Sequence, residues 1–177
     1  MIRFADGDMK TSISALVLLA VPIIGFAANK EIMCNAEICP PGTKVKTYYS
    51  EKNGEIFHIC DTKEKAEYVS AVTGMIAMHV AFSGHMPNIS PVTGDPEYPE
   101  NDGKPNETNI FLKILREKSG VKSFDDALSK CLKGINKLNG LILETPEDST
   151  VALTKISYKG TDIKGWMPIN MMNKESK

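Results

Sequence analysis

The chain has 177 residues, with 21 Lys and Arg against 22 Asp and Glu, so its formal net charge at pH 7 is −1. This balance leaves no basic excess to neutralise a phosphate backbone, and no nucleic-acid partner is expected. The length is sufficient for one domain with its own hydrophobic core behind a short leader.

Residues 1–27 are typical of a secretory signal peptide. A lysine precedes an uncharged apolar run that ends in the small-x-small sequence Gly-Phe-Ala at 25–27. Two aspartates among the first eight residues are unusual in such a signal, so Met9 is the expected true start. We predict cleavage after Ala27, a periplasmic or secreted protein, and one domain over 28–177. An uncleaved anchor is the alternative, but the run is shorter than the ~20 residues that span a bilayer, and no stable membrane insertion is expected after cleavage.

Four cysteines follow this leader, at Cys34, Cys39, Cys60 and Cys131. An even number in an exported chain indicates two disulfides. Three pairings are compatible with the sequence. We favour Cys39–Cys60 across the base of a hairpin, together with Cys34–Cys131, and the main alternative is Cys34–Cys39.

The first structured segment is predicted to be a β-hairpin. Thr43–Tyr49 and Glu55–Cys60 are rich in β-branched and aromatic residues, and the turn signal Asn53-Gly54 separates them.

A long helix is expected to follow over 61–83. Asp61 can cap it with Glu64 as the capping-box partner, and Gly84 is placed to end it. Its last part, from Met75 to Phe82, is apolar on nearly every side. A helix of that kind is either buried or docks on a partner.

The next segment, 85–107, is predicted to be a long loop. It contains five prolines, and a loop of this length inside a compact domain is often functional or flexible. We expect partner contact on this loop.

Two further helices are predicted after the loop. Thr108 can cap the first, which Gly120 ends, and Ser123 can cap the second, which Gly140 ends. Cys131 lies on the apolar stripe of the second helix, as a disulfide partner would.

The chain then returns to β-structure, with strands predicted at Leu141–Glu144, Val151–Tyr158 and Asp162–Ile169. The expected fold class is α+β. It would be a small antiparallel sheet or an SH3-like barrel, built from the hairpin 43–60 and the meander 141–169 and packed with about three helices.

The run GWMP at 165–168 and the following Asn170-Met171 resemble the end of bacterial SH3-like domains. The resemblance implies a five-stranded barrel in which the helices are an insertion. Such bacterial domains often bind cell-wall peptides or protein segments through exposed aromatic residues. The candidates here are Trp166, Tyr158, Tyr48 and Tyr49, and ordinary core packing is the alternative role for each.

The opening CNAEICPPGT looks like the C-x4-C start of exported TrbM/KikA-type conjugal-transfer proteins, with matches at Cys34, Ala36 and Cys39. This resemblance implies an accessory part of an envelope-spanning transfer system.

Two sets of residues are candidate metal ligands. His58 and Cys60 on one strand face, with Cys34 and Cys39, form a candidate zinc set, but an exported chain favours disulfides. A second cluster comprises Met75, Met78, His79, His85 and Met86. Its imidazole and thioether groups would suit Cu(I), although methionine on an apolar helix is more often core packing. No metal or cofactor is therefore expected.

Catalysis has little support in the sequence. The three histidines lie outside any recognisable catalytic motif, and the chain has no G-x-S-x-G, H-E-x-x-H or phosphate-cradling glycine loop. We predict an exported, non-enzymatic binding protein with a protein or peptidoglycan partner, most simply an accessory factor of an envelope transfer or secretion system or a cell-wall-associated protein. The alternatives are an inhibitor or immunity protein that plugs an enzyme through the 85–107 loop, and an enzyme or a copper- or zinc-binding protein that uses His79 and the methionines.

Overall fold

The computed structural model describes residues 32–48, 56–100 and 102–175. The signal peptide predicted at 1–27 and Tyr49 lie outside these residues. Within them, three α-helices accompany ten short strands. In chain order the elements are β1 (Ile32–Met33), β2 (Lys44–Thr47), β3 (His58–Cys60), α1 (Lys63–Ser83), β4 (Asn88–Ile89), β5 (Pro96–Glu97), α2 (Glu107–Ser119), α3 (Phe124–Leu128), β6 (Cys131–Lys133), β7 (Asn139–Glu144), β8 (Val151–Tyr158), β9 (Thr161–Pro168) and β10 (Met172–Lys174).

Eight of these strands form one curled antiparallel sheet in the order β1-β10-β2-β7-β8-β9-β3-β6, and β4 and β5 form a separate two-stranded ribbon. The predicted α+β class with a small antiparallel sheet and about three helices is confirmed. Strands β7, β8 and β9 also lie within two residues of their predicted bounds. They are the easiest to predict because β8 and β9 are long neighbours joined by a tight turn.

The predicted hairpin over 43–60 is wrong in its pairing. Strand β2 lies between β10 and β7, whereas β3 lies between β9 and β6. Both strands join the same sheet, but neither pairs with the other. Val45 and Thr47 of β2 are buried by distant strands, so long-range packing overrides the local turn signal.

Alternation along β8 and β9 gives the sheet two apolar faces. Val151 contributes to a core under the helices, and its neighbour Ala152 points to the opposite face. The helix-side core comprises Cys60, Ala66, Tyr68, Val69, Val72, Leu112, Val121, Ala127 and Val151. The inner core, on the other face, comprises Cys34, Cys39, Val45, Phe57, Ile59, Ile142, Ala152, Ile156, Met167, Ile169 and Met172.

The favoured cysteine pairing is also wrong. The disulfides are Cys34–Cys39 and Cys60–Cys131, with Cα–Cα distances of 5.4 and 4.3 Å, so the alternative Cys34–Cys39 is confirmed. Cys60 and Cys131 face each other directly in the β3–β6 ladder. A tight turn in which the Cys39 amide donates to the Asn35 carbonyl brings the other pair together. One disulfide therefore lies in each core.

The helix starts differ from prediction at two of three caps. Thr62, not Asp61, accepts from the Lys65 amide at the start of α1, while Asp61 forms an ion pair with Lys65 at 2.8 Å. Asn106, not Thr108, caps α2.

Ser123 caps α3 as predicted, but this helix ends at Leu128 instead of reaching Gly140. The residues that follow are drawn into the sheet as β6, opposite β3. Just beyond β6, the Phe57 ring covers Gly134, where a Cβ would lie only 2.2 Å from a ring carbon. Tertiary pairing thus replaces the second half of the predicted helix.

Gly165 is required where β9 crosses β3. A Cβ there would lie 2.5 Å from Ile59 Cγ2 and 2.9 Å from the Cys60 carbonyl oxygen. We predict that Gly165→Ala lowers the free energy of unfolding by about 1–3 kcal/mol, since the backbone of β3 must move. Urea denaturation measures this. As the matched control, Gly74→Ala in α1 meets nothing within 4 Å and should raise stability by about 0.5–1 kcal/mol. Equal midpoints for the two variants would contradict the close approach of β9 to β3.

Candidate functional site

Of the predicted binding aromatics that the structure describes, Trp166 and Tyr158 lie on opposite faces of the sheet. Trp166 is half-buried, pairs across the sheet with Leu153 and Cys60, and packs on the helix-side core. Tyr158 lies five residues along β8 from Leu153 and so projects from the opposite face. Tyr48, which is 39% exposed, follows the end of β2 and donates its amide to the Met171 carbonyl. Trp166 and Tyr158 therefore cannot present one binding platform.

The C-terminal half of α1 exposes several large apolar side chains. Its buried residues are Ala66, Tyr68, Val69 and Val72, and every residue after Val72 has some solvent exposure. Phe82 is 87% exposed and Met78 is 55% exposed. The helix continues past the core that supports it, and the apolar residues that would normally be buried face outward.

Helix α2 runs antiparallel to α1 and adds to the same exposed surface. Its start lies beside the end of α1, because Thr108 lines a cleft with Met78 and Phe82. The cleft has a volume of about 390 Å³ and is lined by Met75, Met78, His79, Phe82, Ser83, Tyr98 and Thr108. We call the exposed apolar side chains of this end the apolar tip, and they are Met78, Val80, Phe82, Met86, Ile110, Phe111 and Ile114.

The predicted 85–107 loop is fixed against both helices by a buried polar cluster. The Asp95 carboxylate accepts hydrogen bonds from the Tyr68 hydroxyl on α1 and from the Arg116 guanidinium on α2. Burial raises the pKa of Tyr68 to about 12, so its hydroxyl stays protonated and donates.

A second set of hydrogen bonds holds the middle of the same segment. The Tyr98 backbone exchanges two hydrogen bonds with the Asn109 side chain, at 3.0 and 2.8 Å. The Tyr98 hydroxyl reaches the Met75 carbonyl at 3.5 Å. The segment thus forms one wall of the cleft and is tied to α1 and α2 at several points.

The segment that forms one wall of the cleft is acidic. No charged residue lies between Gly74 and Gly84, whereas 85–107 carries five carboxylates and one lysine, a net charge of −4 with histidine neutral. Four of the carboxylates are exposed, namely Glu97, Glu100, Asp102 and Glu107. The apolar end of α1 is therefore bordered by an acidic segment, which we call the acidic rim.

Two histidines meet at the edge of the cleft. The ring centroids of His79 and His85 are 5.2 Å apart, and His79 also lies 5.8 Å from the Tyr98 ring. The Nε2 atom of His79 is buried and has no hydrogen-bond partner within the described ranges. His85 Nδ1 lies 3.0 Å from the Met86 carbonyl oxygen.

His58, the third histidine, belongs to a different region. It faces Lys133 across the β3–β6 ladder, and its pKa is lowered by burial and by the charge of Lys133. The candidate zinc set is chemically excluded, because all four cysteines are in disulfides and offer no thiolate. Among the described residues, no group of three or more His, Cys, Asp or Glu side chains is arranged to hold a metal ion.

Sequence analysis identified the apolar end of α1 and the 85–107 segment, but not their combination with α2. Phe111 and Ile114 of α2 are exposed, and sequence analysis assigned neither to a binding surface. The missed signal was the antiparallel return of α2 along α1, which only tertiary structure defines.

The Asp95 cluster predicts a sharp contrast between two ion pairs. Asp95→Asn should lower the free energy of unfolding by about 3 kcal/mol, because it leaves the largely buried Arg116 charge without its partner. The control, Asp162→Asn, removes an exposed pair with Lys155 at 3.1 Å and should lower the free energy of unfolding far less, because water screens that pair. Chemical denaturation of both variants tests this, and equal losses would show that Asp95 does not hold the segment.

In the part of the chain covered by the structure, no helix is both long and apolar enough to cross a membrane. Comparison with protein-family models, with curated proteins and with solved structures finds no match to this chain. The likenesses to SH3-like domains and to TrbM/KikA-type proteins therefore remain predictions, and function is inferred from the apolar tip.

Proposed function

We propose that this chain is an exported, non-enzymatic binding protein that docks a protein partner of the cell envelope through its apolar tip. The observation that carries the proposal is the exposure of Phe82, Met78 and Phe111 on two helices that are firmly attached to the core. A group of large exposed apolar side chains on two packed helices is typical of an interaction surface.

The acidic rim favours a protein over a lipid surface. Helices that lie on membranes carry Lys and Arg beside their apolar face, whereas the last turn of α1 has no basic residue. The carboxylates Glu97, Glu100 and Glu107 are exposed on the segment that forms one wall of the cleft, and they would be repelled by anionic headgroups. The fitting partner is an apolar segment flanked by Lys or Arg, which gains both burial and charge complementarity.

Two disulfides support an oxidising compartment, as the proposed export requires. The small loop closed by Cys34–Cys39 is the feature that resembles TrbM/KikA-type proteins, and it supports an accessory role in an envelope transfer or secretion system. A peptidoglycan ligand has weaker support, because Trp166 and Tyr158, two of the aromatics that would bind it, lie on different faces of the sheet.

Photocrosslinking in the native cell envelope tests the docking surface. A photoreactive residue at position 82 should capture one protein, and the captured segment should be apolar with basic flanks. The same residue at position 158, remote from the tip, should capture little.

The captured segment, made as a synthetic peptide, provides the quantitative test. Its affinity for purified Phe82→Ser should fall about 30-fold relative to wild type, as loss of ~2 kcal/mol at an apolar anchor implies. Tyr158→Ser should bind like wild type. Equal losses for both variants, flotation of the protein with anionic phosphatidylserine vesicles, or capture of a second copy would each contradict the proposal.

A further inference from the structure

We propose that His79, His85 and Met75, with Met78 as a fourth ligand, form a binding site for one Cu(I) ion at the cleft between α1 and the 85–107 segment. The proposal does not depend on the docking function, since Met78 is the one ligand that it shares with the apolar tip, and His79, His85 and Met75 are not part of that tip.

His79 Nε2 is buried and has no hydrogen-bond partner in the described residues. A buried polar atom without a partner is costly, and native proteins usually satisfy it. A coordinated ion would use the lone pair that the fold leaves unpaired.

The tautomer of His85 is fixed by a hydrogen bond to the backbone. Its Nδ1 lies 3.0 Å from the Met86 carbonyl oxygen. A carbonyl oxygen only accepts, so Nδ1 carries the proton and donates, which leaves Nε2 unprotonated in the neutral ring. Metal-binding histidines are commonly oriented in this way, through a hydrogen bond from the other ring nitrogen to a backbone carbonyl.

The spacing of the two rings fits a shared ion. With metal–nitrogen bonds of about 2.0 Å, two imidazoles at a tetrahedral angle have ring centroids about 5 Å apart. The observed separation of the His79 and His85 centroids is 5.2 Å.

Thioethers complete the donor set. Met75 precedes His79 by four residues, which places both on one face of α1, and both line the cleft together with Met78. All of these ligands are neutral when they coordinate. The site is apolar, so a monovalent ion is easier to accommodate there than a divalent one.

Ligand chemistry selects copper(I) among the metals. Imidazole with thioether is a soft set, whereas calcium and magnesium require oxygen ligands. Structural zinc sites generally include thiolates, and here both cysteine pairs are oxidised.

Competition with a chromophoric Cu(I) chelator under anaerobic ascorbate tests the site in the disulfide-intact exported protein. Wild type should retain one Cu(I) per chain. His79→Leu, His85→Gln and Met75→Leu should each lower the affinity about tenfold or more, as expected for lost ligands. X-ray absorption of the wild-type complex should show both nitrogen and sulfur neighbours.

A matched control separates this site from other methionines. Met33→Leu removes an exposed thioether on β1 and should bind Cu(I) like wild type. Failure of wild type to retain copper, or an unchanged affinity in Met75→Leu and His79→Leu, would overturn the proposal.

Discussion

The length of α1 relative to the core beneath it is the constraint on which the rest of the structure depends. Its 21 residues span about 32 Å, yet its last buried residue is Val72, near the middle. Helix α1 packs on β3, β8 and β9. Its second half is flanked by α2 and by the 85–107 segment, because Thr108 lines a cleft with Met78 and Phe82. The Tyr98 hydroxyl also reaches the Met75 carbonyl there. The outer side of the same half remains exposed.

The two cores have different structural roles. The inner core closes the curled sheet and contains Cys34–Cys39, while the helix-side core contains Cys60–Cys131 and attaches α1 to the sheet. Trp166 packs on the helix-side core from β9. The proposed function therefore assigns Trp166 to the support of the helices and Phe82 to partner contact.

The sequence predicted features that depend on local pattern. The α+β class, the glycine ends of α1 and α2, the Ser123 cap and the three C-terminal strands all follow from periodicity and turn chemistry. Features set by distant contacts were missed. β2 and β3 pair with strands far along the chain, and Cys60 meets Cys131 only after β6 joins the sheet. The apolar stripe after Leu128 fitted a helix, but pairing with β3 made it a strand. For the site, the sequence indicated that the end of α1 is buried or docks, and the fold was needed to show that it is exposed.

The proposed docking function requires that the apolar tip is solvent-exposed in the folded protein. Mild peroxide oxidation of the purified monomer, followed by peptide mass spectrometry, tests it through the methionines, because accessible thioethers are oxidised first. Met78 and Met86 are 55% and 59% exposed, whereas Met167 and Met172 are fully buried. The account predicts that Met78 and Met86 are oxidised many times faster than Met167 and Met172. Protection of Met78 and Met86 to the level of Met167 would contradict it.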